Sequence, residues 1–176
     1  MRIRSDSVIE HPLDRVYRAY RDEMPLIAEY IPEVSAIVER ARDERDGGVF
    51  VHSEWISSTK LPPLVNRVIK PEHLRWDDLA EWDDAGHHVD WRIRMGAFTE
   101  QVQCGGRNRF VALGEGRTRV VIDGELKIEI RKIPGVPRVM TRKLMPRLES
   151  FFVRMISTNL QKVTGCLQTY LDEHKE

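Results

Sequence analysis

The chain has 176 residues, 41% of them hydrophobic and 32% charged, a length that suits one domain with a core of its own. Its 28 Lys and Arg residues balance 28 Asp and Glu, which excludes the strong overall field that would drive it onto nucleic acid. There is no run of about 18 uncharged apolar residues to span a bilayer, and Met1-Arg2-Ile3-Arg4-Ser5-Asp6 lacks the apolar stretch of a signal sequence. Cys104 and Cys166 make no disulfide framework and read as thiols of a reducing compartment. The expectation is one soluble, cytoplasmic domain over residues 1–176.

In chain order, residues 2–10 read as a first strand, with Ile3 and Ile9 among polar neighbours. His11-Pro12-Leu13-Asp14 then opens a helix, since proline at a helix start lacks only an N–H that would have no partner there. Val16, Tyr17, Tyr20 and Met24 follow at helical spacing. Pro25 interrupts this stretch, and a second short helix over 26–30 ends before Pro32.

Six more strands are predicted. The first, 34–42, turns at Asp46-Gly47-Gly48 into 49–57 as a hairpin. Lys60-Leu61-Pro62-Pro63-Leu64 cannot be a central strand and reads as a loop or short helix reaching Ile69. Strands over 74–82 and 87–95 flank a turn at Asp83-Asp84-Ala85-Gly86, and the second alternates Val89, Trp91, Ile93 and Met95 with His88, Asp90, Arg92 and Arg94. Residues 100–113 and 118–130 complete the set around Gly114-Glu115-Gly116. Gly105, Gly106 and Gly124 fall inside strands, where glycine is costly, and read as bulges or bends that let the sheet curve. From residue 138 to about 174, Leu144, Leu148, Phe151/Phe152, Met155/Ile156, Leu160, Val163, Leu167 and Tyr170/Leu171 recur three and four apart. They form one stripe on a helix roughly 50 Å long, at ~1.5 Å per residue. Pro146 is expected to kink it.

A strand, two short helices, six meandering strands and one long helix is the order of the α+β helix-grip fold, a curved antiparallel sheet of about seven strands wrapped around the last helix. His11-Pro12-Leu13-Asp14-Arg15-Val16-Tyr17, Arg21-Asp22, Tyr30-Ile31-Pro32-Glu33-Val34, Gly116-Arg117-Thr118-Arg119-Val120, Leu148-Glu149-Ser150-Phe151 and Asn159-Leu160 together resemble the START-like (SRPBCC) superfamily over essentially the whole chain. A scattered second likeness, to PRELI-type lipid-transfer proteins, rests on Trp55, Leu74-Arg75-Trp76, Thr118, Glu149 and Asn159. The resemblance implies a hollow between sheet and helix that binds, and in some members transports, a lipid-like hydrophobic molecule. The alternative it implies is a polyketide cyclase or aromatase acting on an apolar substrate in the same hollow; binding without chemistry is the reading preferred here.

Strand parity places Trp55 with Val49 and Val51, Trp76 with Leu74, Ala80 and Trp82, and Trp91 with Val89 and Ile93. Any one of these tryptophans could equally fill a core, yet apolar walls with a few polar groups are also what ligand sites have. The expected ligand-facing set is Trp55, Trp76, Trp91 and Phe110, the polar Asp78, Asn108 and Cys104, and the aliphatic or aromatic Ile122, Phe152 and Ile156. Ser53 and Thr118 share the inward parity of the polar group. Around Ile133-Pro134-Gly135-Val136-Pro137, the cations Lys127, Arg131, Lys132, Arg138, Arg142, Lys143 and Arg147 suggest a gate or a peripheral contact with an anionic membrane, through Ile133, Val136, Arg138 and Arg142. Asp77, Asp78, Glu81, Asp83 and Asp84 suggest an opposing acidic side.

No metal and no cofactor is expected. Adjacent His87 and His88 in a strand would point to opposite faces, and no H-E-x-x-H, paired C-x-x-C or phosphate-cradling glycine loop occurs. The basic cluster lacks the interleaved aromatics of a nucleic-acid site.

Overall fold

The computed structural model describes residues 1–60, 63, 66, 74–96, 100–129 and 138–174, the side chains of 138–142 excepted. The predicted loop at Lys60–Ile69 lies mostly outside these residues, as do Ile133 and Val136 and the side chains of Arg138 and Arg142.

Seven strands form one antiparallel sheet in the order β1-β7-β6-β5-β4-β3-β2. They are β1 (Arg2–Ile9), β2 (Val34–Arg45), β3 (Gly48–Ser57), β4 (Arg75–Asp83), β5 (His88–Met95), β6 (Val102–Ala112) and β7 (Thr118–Ile128). Because β1 and β2 occupy opposite edges, the chain between them must cross one end of the sheet. The helices α1 (Leu13–Asp22) and α2 (Met24–Ile27), with a 3-10 turn at Ala28–Tyr30, make that crossing. The long helix α3 runs Arg138–Glu173 and packs its stripe on the sheet's inner face.

Local chemistry explains the joints. The Pro12 carbonyl accepts the first bond of α1, from Val16 N at 3.0 Å. Pro25 falls in the first turn of α2, so it starts that helix more than it interrupts the one before. The helix α3 continues through Pro146, where the Ser150 hydroxyl donates to the Pro146 carbonyl at 2.7 Å. His87 precedes β5 and takes a left-handed φ of 45°, so the two adjacent histidines are not both in a strand.

The strand glycines do not mark bulges. Pairing of β6 with β7 runs without a register shift from Val102↔Ile128 to Ala112↔Thr118; the irregularities fall in β2, between Val34 and Ala36 and between Glu39 and Ala41. Gly106 and Gly124 instead lie under the Trp91 indole. A Cβ on Gly106 would come within 2.8 Å of Trp91 Cζ2, and one on Gly124 within 2.9 Å of the same ring. At Gly106 a Cβ would also meet Asp123 O at 2.4 Å and Gly124 Cα at 2.6 Å, so the ring and the close approach of the paired backbone together keep these positions bare.

One apolar core joins the inner face of the sheet to α1, α2 and α3, including Val16, Ile27, Leu148, Phe152, Ile156 and Leu167. In α3 the buried stripe passes through Asn159 and Val163, while Leu160 is only half-buried. A polar amide thus occupies a stripe position that the sequence pattern gave to leucine.

Candidate functional site

The inner-face rows of the sheet set the floor of the site. Registers Val51↔Ala80↔Trp91↔Gly106 and Ser53↔Asp78↔Ile93↔Cys104 run side by side, with Trp55↔Trp76↔Met95 next to them. Over this floor α3 presents Met155, Ile156, Asn159, Leu160 and Val163, and α1 and α2 close one end with Tyr20, Met24 and Pro25. Between floor and helix remains a partly open cavity. It gives about 70 Å³ to the centres of water molecules, within about 900 Å³ of unfilled space that includes its mouth.

Six of the ten residues expected to face a ligand line this cavity: Trp55, Trp76, Asp78, Trp91, Asn108 and Ile156. The other four lie elsewhere in the core. Phe110 joins an aromatic cluster under α1, stacked on Trp82 at 6.0 Å and met edge-on by Tyr17 and Tyr20. Cys104, Ile122 and Phe152 are buried against neighbouring core side chains, and burial first, then the Asp78 charge, pushes the Cys104 thiol up to about 12. Thr118 is also buried, but its hydroxyl donates to the His11 carbonyl at 2.8 Å. Residues the sequence reading left out of the site include Tyr20 and Asn159; of the further inward-parity polar residues, Ser53 lines the cavity and Thr118 does not. Asn159 had a signal: it falls three residues after Ile156 and four before Val163 on the buried stripe.

The polar groups of the site divide into satisfied and unsatisfied ones. Trp91 Nε1 donates to Asn108 Oδ1 at 2.8 Å, and Asn108 Nδ2 donates to the Tyr20 hydroxyl at 3.3 Å. By contrast Trp55 Nε1, Asp78 Oδ1 and both amide atoms of Asn159 are shut off from solvent with no hydrogen-bond partner among the described residues. Each such group carries a desolvation cost of about 1–3 kcal/mol when unmet. Burial lifts the Asp78 carboxyl to about 7, the charge of His52 opposing only in part. The same burial, reinforced by Asp78, raises the Tyr20 phenol above its ordinary value.

The rim is charged but internally paired. Arg21 donates to Asp84 at 2.6 Å and to Asp22 at 3.0 Å, and Arg42 joins Asp22 to Glu39 at 3.1 Å each. The expected acidic side is therefore not an open patch. Asp77 binds His52 at 2.8 Å, Glu81 lies 3.8 Å from Arg45, Asp83 accepts from the Gly86 amide at 2.7 Å, and Asp78 faces inward. Among the described residues no group of three or more His, Cys, Asp or Glu side chains could hold a metal, and no helix is long and apolar enough to cross a membrane.

A family model described as "Protein of unknown function (DUF2505)" matches residues 5–155. No curated protein sequence matches the chain. Among solved structures, the Thermus thermophilus protein TTHA0849 superposes with a TM-score of 0.68 at 21% identity, covering 100% of each chain. The Zhui aromatase/cyclase from a Streptomyces species gives 0.59 at 13% identity over 99% of this chain and 96% of that one. Norcoclaurine synthase from Thalictrum flavum gives 0.55 at 12%, over 99% and 87%. At such identities the likeness is one of fold, and that fold is the START-like helix grip.

Proposed function

The chain belongs to the DUF2505 family, and from the geometry of its cavity we propose that it binds a compact apolar molecule bearing hydrogen-bonding groups. One observation carries the reading: four unmet polar atoms belong to Trp55, Asp78 and Asn159, three residues that line a hollow whose walls are otherwise mostly aromatic and aliphatic. A core that merely packed would have no reason to hold them there. A guest supplies both the apolar contact and the missing partners. Its size is limited. The space is well below the ~300 Å³ at which ordinary ligand pockets begin, so a ring-sized molecule suits it, and a long acyl chain would require α3 and the sheet to part. Carriage of such a molecule is the use this reading supports.

Titration of the protein with benzyl alcohol, followed through the indole N–H signals of its tryptophans by NMR, tests the proposal. The Trp55 signal is expected to shift progressively, and Asn159→Leu, which fills the hollow and removes two unmet atoms, is expected to abolish the shift while raising the melting temperature. A wild-type spectrum indifferent to the alcohol, or a variant that binds it unchanged, contradicts the proposal.

The near-neutral Asp78 carboxyl supports a second reading, an enzyme of the same site. A carboxyl held near pH 7 inside an apolar hollow is suited to proton transfer, and the Tyr20 hydroxyl lies within its electrostatic reach. A host metabolite extract altered by the wild type and left unaltered by Asp78→Asn would favour it; an extract unchanged by either protein removes it.

A further inference from the structure

The charged residues that line the cavity are Arg21, Glu39 and Asp78. Arg21 is held by Asp22 and Asp84, and Glu39 by Arg42, so the rim charges cancel within the protein. Asp78 differs: its Oδ1 is sealed from solvent and unpartnered among the described residues. The same cavity is lined by Trp55, Trp76, Trp82, Trp91 and Tyr20, with Trp55 stacked on Trp76 at 5.7 Å. Aromatic faces carry the negative lobe of the ring quadrupole and attract cations. The unpaired carboxyl and the ring faces of this wall therefore favour a positive group, and the described lining offers no free cation to meet it.

We propose that the guest is an apolar organic amine, bound as its ammonium, with Asp78 as counter-ion, the indole faces as cradle and the Asn159 carbonyl as a second acceptor. This rests on the reading that the cavity binds a guest at all. Trp55 Nε1 is a donor with nothing to donate to, so an amine that also carries a hydrogen-bond acceptor would satisfy one more group of the site.

The surroundings set the sign of the pH dependence. From α1, Tyr20 faces Asp78, and from β6, Cys104; both are raised by burial and by the Asp78 charge, so both stay neutral at physiological pH. His52 lies on the opposite face of β3, bound to Asp77, and α3 contributes the uncharged Asn159. Ionisation of Asp78 near pH 7 is thus the change the cavity itself undergoes between pH 6 and pH 8. An alkyl ammonium remains charged throughout.

Benzylamine and its neutral counterpart benzyl alcohol, titrated at pH 6 and pH 8 with the indole N–H signals as readout, test the proposal. Asp78 passes from roughly one-tenth to nine-tenths ionised over this range, so benzylamine is expected to bind about tenfold tighter at pH 8, with benzyl alcohol little changed. In Asp78→Asn the amine's advantage over the alcohol and its pH dependence are expected to vanish. Benzyl alcohol binding as tightly as benzylamine to the wild type at pH 8, or benzylamine binding no better at pH 8 than at pH 6, overturns the amine and leaves the cavity reading standing. If neither compound binds, both readings fall together.

Discussion

Asp78 and Trp91 show how single side chains shape this interior. Trp91 lies over Gly106 and Gly124 and ties its indole N–H to Asn108, which fixes one wall of the cavity. Asp78 holds a carboxyl where water cannot fully reach it, and this has a measurable consequence. Unfolded, its carboxyl titrates near the ordinary ~3.9; folded, it titrates at about 7. Between those values the folded chain keeps a proton that the unfolded chain has lost, so stability falls as pH rises from about 4 to about 7 and levels off above. The full effect is at most about 4 kcal/mol, at ~1.4 kcal/mol per pH unit. Asp78→Asn should therefore melt higher than the wild type at pH 8, and the gap should close as the pH falls towards 4. A gap that stays constant over that range would contradict this account. The inward parity of Asp78 was legible in the sequence, because alternation along 74–82 puts it with Trp76 and Ala80. The role of the glycines was not, since their reasons are a ring on β5 and the close approach of the paired backbone, which no local pattern on β6 or β7 reveals.

Among the elements, α3 is attached unevenly. Among the described residues, its side-chain hydrogen bonds and ion pairs to other elements and their connecting loops come from Lys162 onward. Lys162 pairs with Glu33, Thr164 donates to Ser7 at 3.1 Å, Asp172 meets His11 at 3.0 Å, and Tyr170 donates to Glu23 at 2.6 Å. The first half, with Leu144, Leu148, Phe152, Met155 and Ile156, is held by apolar packing beside the cavity. Non-directional contacts next to unfilled space yield more readily than a polar clasp. Hydrogen exchange should therefore show faster amide exchange over residues 147–160 than over 163–171; uniform protection along the helix would refute it. The existence and length of this helix were plain from its stripe. The stripe's phase was not, because a helix of this length accommodates Asn159 or Leu160 inward with nearly equal apolar periodicity, and only contact with the sheet decides between them.

For the molecule as a whole, charge balance is reproduced locally as well as in sum. Arg2 with Asp123, Arg119 with Asp6 and Arg107 with Asp90 pair across neighbouring strands of the outer face. With 28 cationic and 28 acidic residues, mutual repulsion between copies is weakest near pH 7. Light scattering should find the most attractive interactions there, weakening on either side; strong repulsion at pH 7 would be inconsistent with this surface. The order of strands and helices could be read from the chain because alternation and turn residues mark each boundary. The adjacency of β1 and β7 could not, as it joins residues more than a hundred positions apart and came only with the family likeness.

One of the two edge strands carries a further implication. β2 is irregular at two points along its pairing with β3, and its far half, Glu39-Arg40-Ala41-Arg42-Asp43-Glu44-Arg45, is almost wholly ionic and exposed. Its unpaired backbone is thereby bent away from a straight template and fenced with hydrated side chains. A sheet finished in this manner resists recruiting a stranger's strand, so the protein can keep a gap in its middle without that gap becoming an invitation at its margin.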